Sequence, residues 1–244
     1  MKARQLHGWR IDPRQAREIQ RRLAARVIRT NQLGAPRLVA GADISGERDG
    51  VAAAAVVVLS YPQMELVEVQ VAEGRPGFPY IPGLLSFREC PLIVAACEKL
   101  ACEPDLLLAD GQGIAHPRRL GVASHLGLLF DLPTIGCAKS ILCGKHGPLD
   151  EDGQAELVDG GEVIGMAVRT KNGARPVYVS IGHKVDLPAA VYWVRQCCRG
   201  YRLPEPARLA HLAAGGRLPM APRTFNLKGD TGMSYNGTRP LAHP

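Results

Sequence analysis

Apolar residues recur at three- and four-residue steps at Ala16, Ile19, Leu23 and Val27, while Arg14, Arg17, Arg21, Arg22 and Arg29 take intervening positions. That periodicity predicts an amphipathic helix with an arginine-bearing outer face. Asp12 followed by Pro13 supplies its start: a capping side chain, then a residue whose missing N–H costs nothing at the first helical position. Strand-like runs follow at 38–44, 51–59 and 64–71, separated by Gly/Asp-rich and Tyr-Pro turns, a spacing that suits an antiparallel meander. After a Gly/Pro-rich loop at 74–83, residues 84–100 have helical periodicity, with Pro91 at a kink or near the first turn. A strand at 105–110, a helix at 118–130 and a strand at 134–138 come next; strands at 162–168 and 177–180 precede helices at 187–199 and 204–213. A meander followed by alternating strands and helices makes the expected class α/β, with a mixed sheet. Periodicity fades after Gly215, so one domain over 1–214 and a poorly ordered tail over 215–244 are expected.

Composition narrows the setting. The chain has 244 residues, 46% of them hydrophobic, and the longest clean apolar run, at 51–59, is nine residues, whereas a membrane-spanning helix needs about 20. Residues 1–10 lack the apolar centre of a signal peptide. The seven cysteines are odd in number and contain no Cys-x-x-Cys, as expected of reduced thiols in a cytoplasmic protein. A zinc site from Cys137, Cys143 and His146 lacks a second ligand pair at finger-like spacing. The net charge of +7 favours an anionic partner, but it is unevenly spread. Residues 1–39 hold ten basic and two acidic residues and 215–244 hold four and one, whereas the body between them is net −4. The arginine face of the first helix is therefore either a solvated surface or one that meets phosphates.

The candidate chemistry lies in the acidic body. Asp43 ends the apolar run 38–42 and Asp110 ends 106–109, so both carboxylates fall at strand ends, where α/β sheets place reacting groups. Unpaired carboxylates are costly there, and a cation relieves the cost. Glu89 projects from the early part of the next helix. Three carboxylates without Cys or His at ligand spacing favour Mg²⁺, with Mn²⁺ as a substitute, over zinc. In the polar segment 110–119, Gly111 and Gly113 allow close approach to the backbone, His116 can donate to phosphate, and Arg118 and Arg119 add charge. The Gly-x-Gly pair has no third glycine opening a helix, and no P-loop lysine is present, so dinucleotide and P-loop folds are disfavoured. In Pro79-Tyr80-Ile81-Pro82-Gly83, two prolines stiffen a loop that carries an aromatic tip. Such a tip can fill the gap when a base leaves its stack, or can pack on its own domain.

Several strings together resemble the endonuclease V family: Ala40-Gly41-Ala42-Asp43-Ile44-Ser45, the run from Pro79 to Glu89, and Asp110 through Ala123. Residues 133–139, Gly182-His183 and 201–206 extend the resemblance, which covers about residues 10–214. It implies a ribonuclease H-like fold, a central mixed sheet flanked by helices. It further implies hydrolysis of the second phosphodiester bond 3′ to deoxyinosine, leaving 3′-hydroxyl and 5′-phosphate ends. On the matching positions, Asp43, Glu89 and Asp110 would bind the divalent metal, with His211 at a fourth position near it. Tyr80 would be the wedge. Gly83, Leu85, Gly111 and Val122 would shape the pocket for the flipped base, and His116 and Lys139 would contact or orient phosphate. Many members have Thr where this chain has Ala207, which removes a hydroxyl from the first turn of a helix.

The implied partner is DNA containing deoxyinosine, acted on by a monomer. Inosine in RNA, single strands, and flap or mismatched structures remain alternative substrates. A non-cleaving nucleic-acid binder would not need the intact carboxylate set.

Overall fold

The computed structural model describes residues 1–218; the expected tail lies outside the described residues from 219 onward. The elements run α1 (Pro13–Ala24), β1 (Leu38–Ile44), β2 (Ala52–Ser60), β3 (Leu66–Gly74), α2 (Leu85–Cys97), β4 (Leu106–Ala109), α3 (Val122–Phe130), β5 (Thr134–Ala138), β6 (Gln154–Asp159), β7 (Glu162–Val168), β8 (Val177–His183), α4 (Leu187–Gln196) and α5 (Glu205–Ala214). The eight strands form one sheet in the order β3-β2-β1-β4-β5-β8-β7-β6. β1, β4 and β5 are parallel neighbours and the remaining pairs are antiparallel, so the sheet is mixed, with the expected meander at one edge.

The central strands read as continuous apolar runs because both faces of the sheet are covered. Val39, Val57, Leu106, Leu108 and Ile135 pack beneath Ala190 and Val194 of α4 and Ala210 of α5. Ala40, Ala42, Val56, Val58 and Leu107 pack on the other face beneath Cys90 and Ile93 of α2 and Leu126 of α3. α1 begins as its sequence predicts: the Asp12 side chain accepts from the backbone of Arg14 and Gln15, and the Gln15 side chain answers the Asp12 N–H. It ends at Ala24, so Val27 joins the core from the following loop.

Besides shifted bounds, with β3 at Leu66–Gly74, β8 running on to His183 and α4 ending at Gln196, three features differ from the sequence expectation. β6 has no counterpart in it: Gln154–Asp159 is mostly half-buried, has no clean alternation, and becomes a strand by pairing with β7 across the Gly160-Gly161 turn. α3 starts at Val122 rather than 118, because Arg119 is held in the left-handed region at φ 56° and cannot begin a helix. α2 ends at Cys97 and keeps Pro91 inside it. No helix among the described residues is long and apolar enough to cross a membrane. All seven cysteines are free thiols, and Cys137 is fully buried in the core.

One close approach sets the position of the site. A Cβ on Gly41 would lie 2.0 Å from the Pro206 carbonyl oxygen, so only glycine lets β1 meet the first turn of α5. α5 has no side-chain cap, and Ala207 sits in that first turn with none of its surface exposed, so contact with β1 is what anchors the helix start. Gly41→Ala is expected to destabilise the fold by about 3 kcal/mol through overpacking against immovable backbone. A thermal melt showing a fall of about 10 °C would agree with this; an unchanged Tm would show that α5 can move away.

Candidate active site

The parallel pairing of β1 with β4 sets Ala42 opposite Ala109, and the Asp110 N–H donates to the Ala42 carbonyl at 3.0 Å. The next residue along each strand is an aspartate, so the two carboxylates emerge side by side at one end of the sheet. Val39, Gly41 and Asp43 share the α5 face by strand alternation. His211, in the second turn of α5, meets Asp43 there, with Nδ1 2.7 Å from Asp43 Oδ2. The other Asp43 oxygen accepts from the Ile44 N–H at 2.8 Å. Atoms of Asp43, Asp110 and His211 all lie within 4.8 Å of one another, and this is the only such group of His, Cys, Asp and Glu among the described residues. Cys137, Cys143 and His146 form no comparable group.

Glu89 enters from α2 on the opposite face. It lies outside that three-residue group, yet its carboxyl is pushed up to about 7 by burial and then by the charges of Asp43 and Asp110. Burial and the Asp110 charge raise Asp43 to about 6, against the pull of its bond to His211. Lys139, just past the end of β5, forms an ion pair with Asp110 Oδ2. That oxygen is buried, and the Lys139 ammonium is the cation it meets among the described residues. The oxygen-rich donor set and the mutual repulsion of the carboxylates together fit a hard divalent cation held by Asp43, Asp110 and Glu89, with His211 adjoining.

A cleft of about 350 Å³ opens directly beside Glu89, Asp110 and Lys139. Tyr80, Gly83, Leu85, Gly111, His116 and Val122 all line it, so these predicted recognition residues come together. The Tyr80 loop is held at both ends. Arg88 Nη1 donates to the Phe78 carbonyl at 2.5 Å, and Gly83, at φ 77°, has its carbonyl bound by His116 and Arg118. Between those anchors Tyr80 remains 70% exposed, a fixed base with a free aromatic tip.

Two predicted site residues have other roles. Gly113 does not line the cleft. Its N–H donates to Ser180 Oγ at 2.9 Å and a Cβ would lie 2.0 Å from the Ile181 carbonyl oxygen, so its glycine serves packing against β8. His116 has no ring nitrogen left for a phosphate: Nε2 donates to the Gly83 carbonyl at 2.9 Å and Nδ1 accepts from the Arg118 N–H at 3.0 Å. Burial, aided by the nearby arginines, lowers it to about 4 and keeps the ring neutral.

Sequence reasoning misses Ser86, Gln112, Ser140, Ile141 and Leu142, which also line the cleft. Their local patterns carry no signal, since short polar residues and apolar loop positions are common on any surface. It also misses the service of Arg202, whose Nη2 donates to the Lys139 carbonyl at 2.7 Å and steadies the end of β5.

Strand-end aspartates, a helix glutamate and a histidine converge beside a cleft on a mixed α/β sheet, an arrangement that suits an enzyme site able to hold a cation. Residues 21–212 match the family model described as Endonuclease V. The chain is 54% identical over 212 residues to Endonuclease V of Gloeobacter violaceus, covering 84% of this chain and 86% of that one. Among solved structures, the Endonuclease V of Bacillus subtilis superposes with a TM-score of 0.83 at 32% identity, covering 88% and 96% of the two chains. Ciona intestinalis Endonuclease V, in complex with a 24mer DNA containing an inosine followed by a ribo-adenosine, gives 0.73 at 29% identity over 83% and 96%. This chain belongs to the endonuclease V family and has its ribonuclease H-like fold.

The raised Glu89 gives a stability test. In the unfolded chain its carboxyl ionises near 4.5, but in the folded site only near 7, so ionisation destabilises the cation-free fold as pH rises between those values. Glu89→Gln is expected to be more stable than wild type at pH 8 without metal, by up to about 3 kcal/mol, with the difference gone near pH 4. It should also gain less Tm from Mg²⁺. Melts at both pH values with and without Mg²⁺ check this, and a variant less stable than wild type at pH 8 contradicts it.

Proposed function

We propose that the protein is a Mg²⁺-dependent repair endonuclease that extrudes deoxyinosine from DNA and hydrolyses the second phosphodiester bond on its 3′ side, leaving 3′-hydroxyl and 5′-phosphate ends. Mn²⁺ is the expected substitute. The observation that carries this reading is the position of the cleft, of ligand-pocket size, immediately beside the carboxylates yet walled by separate loops. Recognition and cutting can then act on different nucleotides of one strand. The Ciona relative's complex with inosine-containing DNA supports the same substrate class.

Hypoxanthine presents a 6-oxo acceptor and an N1–H donor, and it lacks the 2-amino group of guanine. A close, largely backbone-walled pocket at Gly83, Leu85, Gly111 and Val122 rejects guanine by contact and adenine by leaving polar groups unpaired. Tyr80 fills the gap left in the stack. When bound, the cation supplies a water of lowered pKa and screens the phosphate charge. Asp43, Glu89 and Asp110 hold it. Lys139, half exposed at the cleft, offsets charge growing on the phosphoryl oxygens. Asp43 orients His211, whose other ring nitrogen then serves as an acceptor or proton carrier near the reacting water.

Labelled deoxyinosine duplex is expected to be nicked with Mg²⁺ at the second bond, with Asp43→Ala and Asp110→Ala inactive but still binding. Tyr80→Ala should retain metal binding and lose preference for the lesion. Equal cutting by wild type and the aspartate variants would refute their assignment, an unaltered preference in Tyr80→Ala would refute the wedge, and faster cutting of inosine RNA or a flap would redirect the substrate.

The exposed residues Arg14, Arg17 and Arg21 of α1 form no ion pair among the described residues, which favours an approach to the DNA backbone. Reversing these three charges is expected to flatten the salt dependence of DNA binding, by about 0.9 in the log-log slope for each phosphate no longer neutralised. An unchanged slope would leave α1 a solvated surface.

A further inference from the structure

Gln20 lies on the apolar stripe of α1 between Ala16 and Leu23, and none of it is exposed. A buried primary amide is costly unless its oxygen and both N–H groups find partners. Here the Nε2 donates to the Gly83 carbonyl at 3.0 Å and to the Leu120 carbonyl at 3.1 Å, and the Oε1 accepts from Arg118 Nε at 2.5 Å. The Gly83 carbonyl also accepts from His116 Nε2 at 2.9 Å and from Arg118 Nη2 at 2.6 Å. Three donor side chains therefore converge on one carbonyl.

That convergence has two consequences. The Gly83 peptide cannot rotate its carbonyl elsewhere without leaving three donors unpaired, so the left-handed turn at φ 77° keeps one orientation. The single Gln20 amide also bridges two segments that line the cleft, because Gly83 ends the Tyr80 loop while Leu120 precedes Gly121, a second lining residue. Gln20 does not itself line the cleft. Arg118 has no carboxylate partner among the described residues, and its guanidinium is directed by the Gln20 oxygen and the Gly83 carbonyl.

We infer that Gln20 is a positioning residue for base discrimination: from outside the cleft it ties the Gly83 turn to the Leu120 segment and fixes the distance between the pocket walls. The inference rests on the reading of the cleft as the pocket for the extruded base. A pocket that sorts bases by contact and by unpaired polar groups needs its walls held within about 0.5 Å. Glutamate is the informative replacement. It preserves the length and the bond from Arg118, but removes both N–H donors and sets a carboxylate against two carbonyls.

The test compares the full chain with Gln20→Glu and Gln20→Leu, using duplexes that carry deoxyinosine, deoxyguanosine or deoxyadenosine at one position. The ratio of kcat/KM for deoxyinosine over deoxyguanosine is expected to fall roughly tenfold or more in both variants, mainly through KM for the deoxyinosine duplex. The kcat at saturation and the Mg²⁺-induced rise in Tm should change little. An unaltered ratio in a folded variant overturns the inference and leaves the base-pocket reading intact. A uniform loss on all three duplexes that parallels a lowered Tm also overturns it, since a merely structural residue behaves that way. A wild-type protein with no preference for deoxyinosine removes the underlying reading instead. Should Gln20→Leu fail to fold, Gln20→Glu, which retains the Arg118 bond, decides.

Discussion

The parallel register of β1 and β4 is the constraint on which the site depends. It places Asp43 and Asp110 one residue beyond paired alanines, so two like charges leave the sheet together into a poorly solvated corner. Neither can retreat, because the residues before them are locked in the central strands. Glu89 adds a third carboxyl from the far face, and its ionisation is held back to about 7. This arrangement is unfavourable for the empty fold and favourable for a cation, which turns the repulsion into binding. The cost is borne by a sheet buried on both faces by α2 and α3 on one side and α4 and α5 on the other.

Two backbone approaches give that corner separable parts. Gly41 lets α5 lie against β1, and the same helix brings His211 to Asp43. Gly83, in its left-handed turn, lets the Tyr80 loop fold back toward the His116 segment and makes one wall of the cleft. In the proposed function the first approach serves the catalytic side and the second serves recognition. They are joined by α2, whose first turn carries Leu85 and Ser86 in the cleft wall and whose second turn opens with Glu89 at the carboxylates. The cleft and the carboxylates are thus registered against one helix.

The parts legible in the sequence are those whose local pattern has one meaning. Apolar runs ending in Asp43 and Asp110 point to strand ends because an unpaired charge is costly deep inside a buried strand, and β1 extends only one residue past Asp43. The paired prolines around Tyr80 point to a stiff exposed loop, and the intact strings carry the family resemblance. What stays hidden depends on partners distant along the chain. Gln20 sits 63 residues from Gly83 and 98 from Arg118, and its only local sign is a polar side chain in phase with an apolar stripe. Gly113 looks like a ligand-binding glycine beside Gly111, but the crowding that requires it comes from Ile181. His116 looks free for phosphate until the Gly83 carbonyl is placed against it. β6 is legible only through its partner, since half-buried edge strands need not alternate.

Charge placement follows from the same constraint. A body of net −4 around three converging carboxylates repels a phosphate backbone, most strongly at the carboxylates themselves. Lys139 offsets it locally, but its ammonium is already engaged with Asp110 and cannot neutralise the whole group. Arginines on α1 can attract the strand from outside the carboxylate corner, where their charges are exposed and do not compete for the cation. Arg118 lies between these regions and feels the like charges of Arg17 and Arg21. Keeping attraction on α1 and cation binding at the sheet end lets each charge set be strong without cancelling the other. That separation is why the basic total of this chain is a poor guide to the chemistry of its centre.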